Sequence, residues 1–184
     1  MLRALQSKAY ALLIAALGVL LIAGVYVSFF APHEINVGVS VPKAYSSVDA
    51  MKKDTDLIVE GSTLSNQKAF TYKGVLFTTS SFQVKKVLKG KADLSRITIL
   101  ETGGYDGRNH LTVEDNRVMK PKKGYILFLK KYEGPVTDKE AYVIAGAYQG
   151  KFQVKGDQVK PAKEVNRGLA RIENKTTLLK GIQK

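Results

Sequence analysis

The sequence predicts a mainly β fold: a small antiparallel barrel or sandwich with flanking helices, preceded by one N-terminal transmembrane helix. Three observations carry this. Residues 9–30, AYALLIAALGVLLIAGVYVSFF, form a run of 22 residues without a charge. Short alternating apolar stretches bounded by glycine turns recur from Leu57 to Lys160. Helical spacing appears only ahead of these stretches and after them, which excludes an alternating βαβ sheet.

At about 1.5 Å per residue, the charge-free run makes a helix of about 33 Å, enough to cross a hydrocarbon core of roughly 30 Å. Arg3 and Lys8 precede it without an acid. Lys and Arg beside a first span favour the cytoplasm, so residues 1–8 read as a cytoplasmic leader, 9–30 as a signal anchor and 31–184 as extracytoplasmic. The run exceeds the usual apolar region of a cleaved signal peptide, and its candidate cleavage positions are poor: Ala31 precedes Pro32, and Ile22 stands two residues before Gly24. An uncleaved anchor is therefore favoured over a cleaved peptide. The chain has no cysteine, which excludes disulfides and lipid attachment through sulfur.

Residues 31–184 carry 27 Lys+Arg against 16 Asp+Glu, a surplus of +11. Such a surplus suits a polyanionic setting: lipid headgroups, acidic wall polymer or nucleic acid. It is densest at Val84–Arg96 and Arg117–Lys131. Each stretch reads equally well as a solvated basic face or as an anion-binding surface.

Residues 31–44 read as a linker, holding Pro32, Gly38 and Pro42 around alternating Ile35, Val37, Val39 and Val41. They predict either an edge strand or an extended tether. A β-barrel domain is expected at 45–162 and a helical tail at 163–184. Tyr45–Asp54 reads as a short helix capped by Ser46, with Val48 and Met51 on one face. Leu57–Gly61 opens the strands, its glycine marking a bulge or bend. Next come Tyr72–Leu88, the turn Lys89–Lys91, Arg96–Thr102, a weaker Leu111–Val113, and Gly124–Leu129, apolar enough to be buried on both faces. Ala141–Ala147, Gly150–Val154 and Gln158–Lys160 complete the set. In the tail, Val165, Leu169, Ile172 and Leu179 make a narrow apolar stripe. That stripe favours covering an open end of the barrel over lying on an acidic surface.

The order Asp56-Leu57-Ile58-Val59-Glu60-Gly61, Val87–Gly90, Ile97–Gly104, Lys123–Leu129 and Gln149–Phe152 resembles small exported proteins of Gram-positive bacteria. It is also similar to the netrin-module and metalloprotease-inhibitor branch of the OB-like barrels. The resemblance implies an OB-like, netrin-like barrel in an extracytoplasmic setting. Inhibition in that branch depends on an N-terminal cysteine that chelates zinc, and this chain lacks one, so that activity is not implied.

Candidate chemistry is sparse. His33 lies in the linker, whereas His110 stands in GGYDGRNHLTVED, residues 103–115, near Asp106, Glu114 and Asp115. Their spacing matches neither an EF-hand nor H-E-x-x-H. No G-x-S-x-G turn or G-K-[ST] phosphate loop occurs. No cofactor or catalytic residue is expected. The expected function is a non-catalytic, membrane-anchored binding domain of the cell envelope whose partner is an envelope protein or anionic wall polymer. Its contact surface would comprise Lys85, Lys86, Tyr105, Asp106, Arg108, His110, Lys120, Lys122 and Lys123. The alternatives are nucleic-acid binding, with Tyr125, Phe128 and Tyr132 interleaved among lysines, and a metal-assisted hydrolase centred on His110.

Overall fold

The computed structural model describes residues 2–30, 32–38, 43–91 and 93–183; side chains are further described except at 2–11, 28–30, 65 and 66. It divides into two compact units, Met1–His33 and Glu34–Lys184. In the first, α1 spans Leu2–Phe30. From Leu12 to Val27 its large apolar side chains are 55–73% exposed. Among the described residues no helix is long and apolar enough to cross a membrane.

The second unit opens with β1 (Glu34–Val37), an edge strand rather than a tether. Within the candidate linker, residues 31 and 39–42 lie outside the described residues. Helix α2 (Val48–Lys53) follows, and it buries Val48 and Met51 as their spacing predicts. Its N-cap is Ser47, not Ser46: the Ser47 hydroxyl accepts the Ala50 N–H. Strand β2 (Leu57–Tyr72) passes through Gly61 and turns at Lys73-Gly74 into β3 (Val75–Lys89). Positive φ at Lys73 and Gly74, 47° and 79°, gives the two-residue turn that suits strand twist.

Gly61 bends the strand without ending it. Pairing jumps from Glu60–Lys86 to Gly61–Val84, leaving Lys85 as the bulged residue. A Cβ on Gly61 would overlap the Gln83 carbonyl and the Phe82 ring, so glycine permits this approach. Beyond Gly61 the polar stretch 62–71 has no apolar alternation to mark it, yet it pairs with β3 as far as Tyr72–Val75.

Next are β4 (Arg96–Thr102), β5 (Gly104–Tyr105), β6 (His110–Val113), β7 (Gly124–Lys131), β8 (Tyr142–Ile144), β9 (Lys151–Lys155) and β10 (Gln158–Pro161). The expected strand 141–147 is confined to β8, because left-handed Gly146 and Ala147 turn the chain. β7, β2, β3, β4 and β8 close a five-stranded barrel when β8 returns to β7. One edge of β7 pairs with β2; the other pairs with β9 along Gly124–Leu127 and with β8 along Leu129–Lys131.

The barrel is not wholly antiparallel. β8 lies parallel to β4, with Ile99 opposite Tyr142, since the long connection between them returns the chain in the same direction. A second, three-stranded sheet has the order β1-β6-β5, with β1 parallel to β6.

Alternate residues of β2 and β7 enter two cores. Leu57, Val59, Tyr125, Leu127 and Leu129 join Phe82, Ile97, Ile99 and Met119 inside the barrel. Ile58, Ile126 and Phe128 face outward into a second cluster with Phe152. Helix α2 covers that outer face, together with α3 (Arg167–Ala170) through Leu169, α4 (Lys175–Gln183) through Leu178 and Ile182, and Ile172 between them. The tail therefore covers a barrel face, not the open end that its narrow stripe suggests. Its two helices are separated at Asn174, whose side chain caps the Thr177 N–H.

Candidate binding site

β4 ends just before Gly103-Gly104, where the chain leaves the barrel for the second sheet. Both glycines have positive φ, 97° and 131°, and a Cβ on Gly104 would overlap the Thr78 hydroxyl. That hydroxyl donates to the Gly103 carbonyl at 2.7 Å. The expected polar loop 103–115 is thus largely a hairpin, with Gly104 opposite Leu111 and Tyr105 opposite His110. At its tip, Asp106 Oδ1 accepts the N–H groups of Arg108 (2.7 Å) and Asn109 (2.6 Å). These backbone bonds, Asn109 first, hold the Asp106 carboxyl below its usual range. The Tyr105 and His110 rings lie 4.9 Å apart, tilted by 39°.

The segment 117–121 faces this hairpin across a cleft of about 370 Å3. Gln67 and Ala69 of β2 and Thr78 of β3 form a third wall. The segment is held from two sides. Gln67 Nε2 donates to the Met119 carbonyl at 2.5 Å, and the Thr63 hydroxyl donates to the Lys120 carbonyl at 2.5 Å. The Lys120 N–H donates to the Tyr125 hydroxyl at 2.8 Å; burial pushes the Tyr125 phenol up to about 12. The phenol thus stays protonated across the neutral range.

Of the predicted contact residues, Tyr105, His110 and Lys120 meet in this cleft. Asp106 and Arg108 shape the hairpin tip, while Lys122 and Lys123 occupy the adjoining exposed turn. Lys85 and Lys86 stand away, both exposed because the bulge breaks the alternation there. Sequence patterns do not mark Gln67, Ala69, Thr78 and Val118 as cleft walls. They come from stretches without a motif; the long β2–β3 hairpin brings Gln67, Ala69 and Thr78 there, and Val118 arrives on segment 117–121.

Among the described residues no three His, Asp or Glu side chains converge to hold a metal ion. Tyr125 and Phe128 are buried in the two cores and present no face for base stacking. Compared with known protein families, with curated proteins and with solved structures, the chain matches none.

Proposed function

We propose that this chain is a non-catalytic binding domain of the cell envelope, anchored by α1 and displayed outside the membrane. The observation that carries the binding role is the preformed cleft between the β5–β6 hairpin and segment 117–121, with His110, Arg117 and Lys120 at an otherwise mainly apolar concavity. The five-stranded ring with a single parallel closure supports an OB-like reading of the barrel, in which loops beside the strands hold ligand. Of the two expected partners, an envelope protein and an anionic wall polymer, the apolar walls favour an envelope protein. An extended, acidic segment would place an apolar side chain against Leu111 and Val118 and a carboxylate near Lys120.

The anchor reading rests on sequence and helix together. Residues 9–30 carry no charge and fall within α1. The described side chains give that helix no polar face, so it needs an apolar surround. The basic leader then directs the rest of the chain outward.

One experiment tests both parts. Intact native cells producing the full chain are treated with a membrane-impermeant cross-linker, and their membranes are then extracted with alkali. The chain is expected to stay in the membrane and to yield one discrete protein adduct. Ala69→Glu places an acid on an exposed cleft wall and should lower the adduct by about ten-fold. Alkaline release would overturn the anchor; an equal adduct from Ala69→Glu would overturn the cleft.

A further inference from the structure

A second cavity, of about 310 Å3, shares the wall Arg117, Val118 and Lys120 with the cleft. Its remaining walls come from Lys160 at the end of β10, from the following turn at Lys163, from Glu34 of β1, and from β7 and β9 behind. Lys160 pairs with Gln153 on β9, and Gln153 pairs with Tyr125 on β7, so the three form one row across the sheet. Buried Asn116 ties the floor: its Oδ1 accepts the Lys163 N–H at 2.7 Å, and its Nδ2 donates to the Lys163 carbonyl at 3.1 Å.

Charge here is unevenly matched. Buried Lys151 is neutralised by Glu101. Arg117 is held by Glu34 of β1, Nε to Oε1 at 3.1 Å and Nη2 to Oε2 at 3.4 Å; that hydrogen bond holds the Glu34 carboxyl below its usual range. Three exposed lysines remain, Lys120, Lys160 and Lys163, none in an ion pair among the described residues. The one further acid in the lining is Asp115. Cations gathered in a concavity focus their field on an incoming anion.

The chemistry distinguishes which anion. A planar carboxylate is best matched by a guanidinium fork. The single arginine of the cavity already holds one, from Glu34. Ammonium groups on two separate segments, Lys120 on one and Lys160 with Lys163 on the other, act as point charges and suit a tetrahedral anion with several acceptor oxygens. The cavity, at about 310 Å3, is roomier than a bare tetrahedral oxyanion needs, so the anion brings substituents with it. We infer that this cavity is a binding site for a phosphodiester carrying small polyol groups, such as a glycerol phosphodiester. The inference stands apart from the protein-binding cleft. An envelope polyol-phosphate polymer and the headgroup of phosphatidylglycerol both present this chemistry.

The test titrates glycerophosphoglycerol into the full chain held in phosphatidylcholine nanodiscs, followed by calorimetry. Saturable one-to-one binding is expected. Lys160→Ala with Lys163→Ala should weaken it by about ten-fold. Lys85→Ala with Lys86→Ala removes the same charge elsewhere and should change it by less than about two-fold. Absence of saturable binding, or equal weakening by both pairs, overturns the site. Repetition in phosphatidylglycerol nanodiscs separates the sources. An apparent affinity lowered by about three-fold or more, in the unsubstituted chain only, assigns the site to the lipid headgroup through competition. An unchanged affinity assigns it to the phosphodiester of a polymer.

Discussion

Lys151→Met is expected to lower the unfolding free energy by about 3–5 kcal/mol, the usual cost of stranding one charge of a buried pair. The two side chains are only 10% and 4% exposed, and Lys151 Nζ lies 2.8 Å from Glu101 Oε1. The other Glu101 oxygen accepts the Met119 N–H at 2.9 Å, and Lys151 also donates to the Arg117 carbonyl at 2.7 Å. The pair thus fastens segment 117–119, the wall shared by both cavities, to the barrel interior. Substituting Glu101→Gln in the Lys151→Met chain removes the stranded charge while retaining an acceptor for Met119. It should recover more than half of the loss. Urea unfolding with an unchanged slope gives both values; a cost below about 1 kcal/mol for Lys151→Met would refute the burial of the pair.

Phe128→Ala should cost about 3–5 kcal/mol and lower the melting midpoint by about 10 °C. The ring is fully buried, 5.8 Å from that of Phe152, in the outward cluster. Its removal hollows the face on which Leu169, Ile172, Leu178 and Ile182 rest. Residues 163–183 should therefore become the first site of limited proteolysis while the barrel persists. Unchanged resistance of this tail would mean that its docking does not depend on that face.

These two positions mark how far the sequence reaches. The unbroken apolar run Gly124–Leu129 foretells a strand buried on both faces, and the alternation of Ile97, Ile99 and Glu101 is plain from residue types alone. That Glu101 is an interior residue is not. A lone acid at the end of an apolar alternation reads as the exposed end of a strand, and its cation stands fifty residues later in a turn-rich stretch. The cleft follows the same pattern. Tyr105, His110 and Lys120 stand out by type, whereas Gln67, Ala69 and Thr78 belong to a hairpin whose outer half has no periodicity. Asn116 and Lys163 meet only through long-range pairing, which no local pattern encodes.

The way strands are joined also sets the order in which they form. The β2–β3 hairpin, turning at Lys73-Gly74, needs only neighbouring residues and closes on the timescale of local structure, roughly microseconds. Barrel closure waits for Ile99 to find Tyr142, and the second sheet for Glu34 to find His110. Each must first meet the entropy of a long loop. The β2–β3 hairpin is therefore the early scaffold and both cavities are late products. Pulse-labelled hydrogen exchange during refolding should protect the amides of residues 67–79 before those of 110–113, and the opposite order would contradict this sequence of events. A chain interrupted after β3 would already have one wall of its cleft, but neither the β5–β6 hairpin nor the basic segment that faces it.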